Sequence, residues 1–113
     1  MRQLLAWQWQ AYSRYHTNRT NLLLHLVAVP LFLVGTVLLI VGAIRLSPML
    51  TVAGLVAMAV SLALQGRGHR LEAVPPEPFT STANAVGRLL LEQWLTFPRF
   101  VLSGGWARNF SGH

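Results

Sequence analysis

Three of the four histidines, His16, His25 and His69, are the residues of this chain best suited to chemistry. Only three acids accompany them: Glu72, Glu77 and Glu92. Three imidazoles and one carboxylate suit a divalent transition metal. Open positions on such a site suit non-haem Fe(II) and O₂. Glu72 follows His69 by three residues and shares its face if that piece is helical, so it is the candidate carboxylate. Other chemistries are poorly supplied. There is no cysteine for a disulfide, a thiolate metal site or a nucleophile. Ser13, Ser61, Ser81 and Ser103 sit in no nucleophile-elbow context.

Two apolar runs position the histidines. Leu22 to Ile44 is apolar except for His25 and Thr36, and Pro48 to Leu64 carries only the small hydroxyls of Thr51 and Ser61. Each run has the length of a spanning helix, about 20 residues. The expected fold is an all-α integral membrane protein built on a transmembrane hairpin. Its spanning helices cover 21–45 and 48–65, and its turn is Arg45-Leu46-Ser47. Pro48 fits the first turn of the second helix. In an antiparallel hairpin, residues equidistant from the turn lie at similar depth. His25 is 21 residues before Leu46 and Arg67 is 21 after it, which puts His25 level with the approach to His69. His16 enters just before the first helix, on the same side.

The rest of the single domain, 1–113, is expected to line one face of the membrane. Leu5, Trp9, Tyr12 and His16 share a helical face, so 1–20 reads as an amphipathic segment at the headgroups. Residues 66–81 carry Gly66, Gly68, Pro75, Pro76 and Pro78 and read as a Gly/Pro loop. Within 82–103, Val86, Leu89, Leu90, Gln93, Trp94 and Phe97 recur at helical spacing. Arg88, Glu92 and Arg99 make that segment a poor spanner, and an interfacial or re-entrant helix is expected. Residues 104–113 read as a loose tail.

Composition supports the membrane reading. Hydrophobic residues are 53% and charged ones 11%, too few to cover two such helices in water. The charge of +6 is all arginine, scattered rather than run together, which argues for anionic lipid and against nucleic acid. Eight of the nine arginines flank the hairpin on its terminal side, and only Arg45 lies at the turn. Both termini are therefore expected in the cytoplasm, in a membrane of the bacterial inner type. Ala53, Ala57 and Ser61 form a small-residue row of the kind that lets helices approach in lipid, and a homo-oligomer stays open.

Tyr15-His16, Asn21, His25 and Pro30 read as Y-H-x₄-N-x₃-H-x₄-P, followed by Gln65, Gly68-His69 and Glu72 and then prolines. With these motifs the chain, over roughly Tyr12 to Pro78, resembles the small membrane family of the yeast 2-hydroxy-palmitic acid dioxygenase, formerly a domain-of-unknown-function family. The tail from Glu92-Gln93-Trp94 to Gly105 looks like a bacterial branch. The resemblance implies an Fe(II)-dependent dioxygenase that shortens a 2-hydroxy fatty acid by one carbon with O₂ and without 2-oxoglutarate. It carries over His16, His25 and His69 as catalytic iron ligands. Glu72 is the fourth candidate, although family members often place the acid four residues after the Gly-His histidine rather than three. Asn21, Tyr15 and Gln65 would stand behind the ligands. Arg67 or Arg70 would hold the substrate carboxylate. The alternative is a non-catalytic small membrane protein that binds metal, lipid or a partner helix.

Overall fold

A computed structural model describes residues 1–112. His113, the end of the expected tail, lies outside them. The described residues contain helices and no strand. Helix α1 spans Arg2–Tyr12 and ends in a 3₁₀ turn, Ser13–Tyr15. The long helices α2, Arg19–Ile44, and α3, Pro48–His69, follow. Helix α4, Thr82–Leu91, runs through a π-helical turn, Glu92–Thr96, into α5, Phe97–Leu102, and α6 spans Gly105–Ser111.

Local chemistry sets these boundaries. The Asn18 side chain accepts from the backbone N–H of Asn21 at 3.0 Å and caps α2. Ser47 caps α3 with Pro48 in its first turn, and Ser81 caps α4. The turn between α2 and α3 closes with two bonds, Ser47 N–H to the Gly42 carbonyl at 2.8 Å and Leu46 N–H to the Ala43 carbonyl at 3.3 Å. This pattern normally places a glycine in the left-handed position, which here is filled by Leu46 at φ 53°.

Helices α2 and α3 pack antiparallel through small residues. A Cβ on Gly54 would lie 2.6 Å from the Gly35 carbonyl oxygen and 2.5 Å from the Leu39 nitrogen, so the two backbones touch there. Gly42 meets Thr51 in the same way one level nearer the turn. Farther from the turn the seam becomes polar. Ser61 donates to the Ala28 carbonyl at 2.5 Å, and Gln65 donates to Ser61 at 2.9 Å. The outer faces are the reverse. Val27, Val34, Val37 and Ile40 on α2, and Val52, Leu55, Val56 and Val60 on α3, are exposed. Both helices are long and apolar enough to cross a bilayer, yet only 28% and 17% of their most apolar windows is buried within the protein. A core helix of a soluble bundle would be mostly buried.

The other elements pack against the half of the hairpin where α2 begins and α3 finishes, and the π turn reaches farthest along α2, with Trp94 beside Leu33, Val34, Val37 and Leu38. Tyr12, Leu22, Val29, Phe97 and Phe100 form the buried cluster there, joined by Trp9, Trp106 and Phe110. Three features differ from the sequence expectation. Helix α3 continues through Gly66 and Gly68 to His69, four residues past the expected limit, so the loop begins at Arg70. The 82–103 segment is not one regular helix, because five residues adopt π geometry at its centre. The tail is not loose: α6 lies on the site end, where Trp106 Nε1 donates to the Leu22 carbonyl at 3.0 Å and Asn109 Nδ2 to the His16 carbonyl at 2.8 Å.

The glycines of α3 should respond in opposite directions. Gly54→Ala forces backbone apart and should destabilise the hairpin by about 1–3 kcal/mol. Gly66→Ala meets nothing within 4 Å and should stabilise it by about 0.5–1 kcal/mol through helix propensity. Unfolding of both variants in detergent, followed by circular dichroism, measures this contrast.

Candidate metal centre

Four side chains from four different segments converge at the base of the hairpin. His16 follows the 3₁₀ turn, His25 lies two turns into α2, His69 ends α3, and Glu92 opens the π turn. One donor atom from each lies within 4.8 Å of all the others. The three imidazoles stand nearly perpendicular to one another, with ring centroids 4.9–5.0 Å apart and interplanar angles of 77–86°. Glu92 Oε2 lies 3.3 Å from His16 Nε2 and 3.6 Å from His25 Nε2. Both separations are under twice a metal–ligand bond of about 2.0–2.2 Å, so one ion can reach both partners.

The hydrogen bonds behind the rings decide which nitrogen faces inward. His16 Nδ1 lies 2.7 Å from the Tyr12 carbonyl, and His25 Nδ1 lies 3.1 Å from the Asn21 carbonyl. A carbonyl only accepts, so Nδ1 carries the proton in each ring. The Nε2 of each neutral ring then presents a bare lone pair to the centre. Both carbonyls stand four residues before their histidine. His16 Nε2, His25 Nε2 and His69 Nδ1 are buried and have no hydrogen-bond partner. Buried nitrogens of this kind opposite a carboxylate fit a bound cation, and this donor set could hold a transition metal.

Glu92 is held from two sides. Tyr12 donates its phenol to Glu92 Oε2 at 2.7 Å while its ring stacks on His16 at 3.8 Å and 13°. Burial first, and then the Glu92 charge, raise the Tyr12 phenol well above its ordinary value, so it remains a donor. Gln93, the next residue, forms a reciprocal amide pair with Gln65, with both bonds 2.8 Å long and both side chains buried. Gln8 adds a third tie, donating to the Arg88 carbonyl at 2.9 Å and accepting from Thr96. The π turn, a geometry often found at functional sites, is thus clamped to α1 and α3, which aims Glu92 inward.

The structure brings His16, His25 and His69 together and puts Glu92, not Glu72, beside them. Glu72 turns away to cap the start of α2. It accepts from the N–H groups of Thr17 and Asn18 at 2.9–3.1 Å, from the Thr17 hydroxyl at 3.0 Å and from Asn21 Nδ2 at 2.5 Å. Asn21 therefore connects Glu72 through its side chain to His25 through its carbonyl. Gly68 allows this, because a Cβ there would collide with Asn21 Oδ1. Gln65 acts through Gln93, and Tyr15 is half-buried at the cavity wall. Sequence reasoning missed Glu92 and Tyr12 as parts of the site. Glu92-Gln93 was legible as a polar pair inside an apolar helical stretch, but Glu92 was read as an obstacle to spanning.

A cavity of about 530 Å³ opens against the cluster. His16, His69 and Glu92 lie in its wall with Trp7, Leu62, Phe79 and Leu89. Arg70 also lines it, and its guanidinium makes no hydrogen bond or ion pair with the described residues. Arg67 is exposed and does not line it. Arg88 is committed elsewhere: it donates to the Pro78 and Glu77 carbonyls at 3.1 and 2.8 Å and sits over the Trp7 and Phe79 rings.

Glu72 yields a pH test of its capping role. Burial pushes its carboxyl up, but the bonds from Asn21, Thr17 and Asn18 outweigh this and hold it below the ordinary 4.5. A lowered folded value means that the stabilisation is complete above the ordinary value and disappears as pH falls through the lowered one. The stability gap between the wild type and Glu72→Gln should be widest near neutral pH and close as pH falls below the ordinary 4.5 and through the lowered value. Thermal melts across that range check it.

No curated protein and no solved structure matches the chain. A family model described as 2-hydroxy-palmitic acid dioxygenase Mpo1-like matches residues 3–113, which include every segment that contributes to the histidine–glutamate cluster. The chain belongs to the 2-hydroxy-palmitic acid dioxygenase Mpo1-like family.

Proposed function

We propose that the protein is a membrane-embedded Fe(II)-dependent dioxygenase that shortens 2-hydroxy fatty acids by one carbon. The observation that carries this reading is the set of three unpartnered buried ring nitrogens and one carboxylate oxygen facing a common centre at the wall of a cavity. Family membership supplies the substrate class. A module that merely stored a metal would need no cavity of this size beside it.

His16, His25, His69 and Glu92 would hold the iron. Bound iron supplies the redox chemistry that lets O₂ react with the substrate. The chain's own groups do the rest. The Tyr12 and Asn21 carbonyls hold the Nδ1 protons of His16 and His25 away from the centre, keeping both rings in the ligating tautomer. The Tyr12 hydroxyl holds Glu92 in place. Arg70, the uncommitted cation of the wall beside His69, binds the substrate carboxylate, a role that Arg67 is too far outside the cavity to fill. The acyl chain lies against Trp7, Leu62, Phe79 and Leu89.

The apolar outer faces of α2 and α3 support a transmembrane hairpin. Arginine placement supports cytoplasmic termini and a location in a bacterial inner membrane. Arg99 lies 4.1 Å over the Trp9 ring and Arg88 4.9 Å over Trp7, an arrangement suited to the headgroup layer. Helices α4 and α5 would therefore lie along the cytoplasmic interface rather than cross.

Protein purified without oxygen should carry about one iron per chain. His16→Ala, His25→Ala, His69→Ala and Glu92→Gln should each lose most of it. Glu72→Gln and Tyr12→Phe should weaken binding by only about 10–100-fold, as expected for groups behind the ligands. Acidification should release the metal, because protons compete for neutral imidazole. Metal analysis across the series decides the ligand set, and a fully loaded histidine variant would refute it.

Orientation is tested separately by single cysteines at Ser13, Leu46 and Ser103 on intact cells. An impermeant thiol reagent should label only Leu46→Cys, the exposed tip of the turn.

A further inference from the structure

Gly66 is a glycine that neither backbone nor packing requires. It lies in the last turn of α3, one residue after Gln65 and three before His69. Its φ is not positive, so any residue can adopt its conformation. Glycine is the poorest helix former after proline, which makes its presence inside a helix a cost without a local return. Its neighbour Gly68 has a clear reason, since a side chain there would strike Asn21. At Gly66 an added Cβ would meet no atom within 4 Å.

That open space adjoins the cavity. Gly66 belongs to its wall, with Leu62 one turn before it on α3 and Arg70 one turn after it. Along the helix, position 66 stands between His69 and Arg70 on one side and Leu62 on the other, all four in the cavity wall. We infer that Gly66 sets the bore of the cavity at the point where a substrate's hydrocarbon chain leaves the metal site. It is thus a specificity-determining residue for the bulk and length of that chain. The inference rests on the reading of the cavity as the site for 2-hydroxy fatty acids. With the carboxylate at Arg70 and the hydroxyl-bearing carbon at the cluster, the first methylenes run along the wall at position 66, where a larger side chain would take up space that glycine leaves open.

A graded series, Gly66→Ala, Gly66→Val, Gly66→Leu and Gly66→Phe, tests this in the iron-loaded protein kept free of oxygen. Binding of 2-hydroxypalmitate and 2-hydroxyhexanoate is measured by equilibrium dialysis, with iron content and helicity recorded for each variant. Affinity for 2-hydroxypalmitate should fall stepwise with side-chain size, by about 10-fold or more at leucine. Affinity for 2-hydroxyhexanoate should fall by at most a few-fold, and iron content should stay at the wild-type level. If the phenylalanine variant does not fold, the alanine-to-leucine gradient carries the result. Folded, iron-replete variants that bind 2-hydroxypalmitate as the wild type does would overturn the inference and leave the proposed substrate class intact. Equal losses for both acids would also overturn it. Wild-type protein that binds neither acid would instead remove the substrate class, and the role of Gly66 with it.

Discussion

Buried lone pairs facing one another are the constraint on which this structure turns. Three imidazole nitrogens without a hydrogen-bond partner share a small volume with a carboxylate oxygen that takes its hydrogen bond from the Tyr12 phenol. Left bare, such a cluster opposes folding, because each ring nitrogen has lost water and gained no hydrogen bond in return. A cation resolves the conflict. Much of the surrounding structure serves to keep the acceptors in place. Two carbonyls hold the outer nitrogens of His16 and His25, a phenol holds the carboxylate, and the amide pair Gln65–Gln93 holds the turn that carries it.

The hairpin meets a related constraint by turning the usual pattern inside out. Its outer faces are valine, leucine and isoleucine, while its seam holds glycine near the turn and serine, glutamine, asparagine and histidine toward the site. Such a seam suits lipid, where no hydrophobic force drives two apolar helices together and close backbone approach and internal hydrogen bonds take its place. Gly35 and Gly54 supply the first and Ser61 to Ala28 the second. The same seam runs without a break toward the histidine–glutamate cluster, since Gln65 bonds both Ser61 and Gln93.

The sequence was informative where one physical rule dominated. Apolar length marked the two long helices, and mirror counting about Leu46 put His25 beside His69 because an antiparallel hairpin has a fixed register. It was uninformative where a contact came from a distant segment. Glu72 was attractive as a ligand because it follows His69 closely, but the orphan N–H groups at the start of α2 claim it. Glu92 lies far along the chain from the histidines, and only the π turn aims it inward, a local change of helical pitch that residue spacing does not reveal. The tail seemed loose because it is short and rich in glycine, yet Trp106 and Phe110, four residues apart, pack together over the end of α2.

The ligand cluster also fixes an order of events during synthesis. Its first histidine is residue 16 and its carboxylate is residue 92, while the backbone of that first histidine is gripped by Asn109. A growing chain therefore exposes two imidazoles long before the third, and the anionic donor and the outer clamp come last. Until then the cluster is incomplete, because its carboxylate and the clamp on the His16 backbone are still missing. Under the proposed iron-binding role, loading of the centre becomes a late step of synthesis, one that reads completion of the fold.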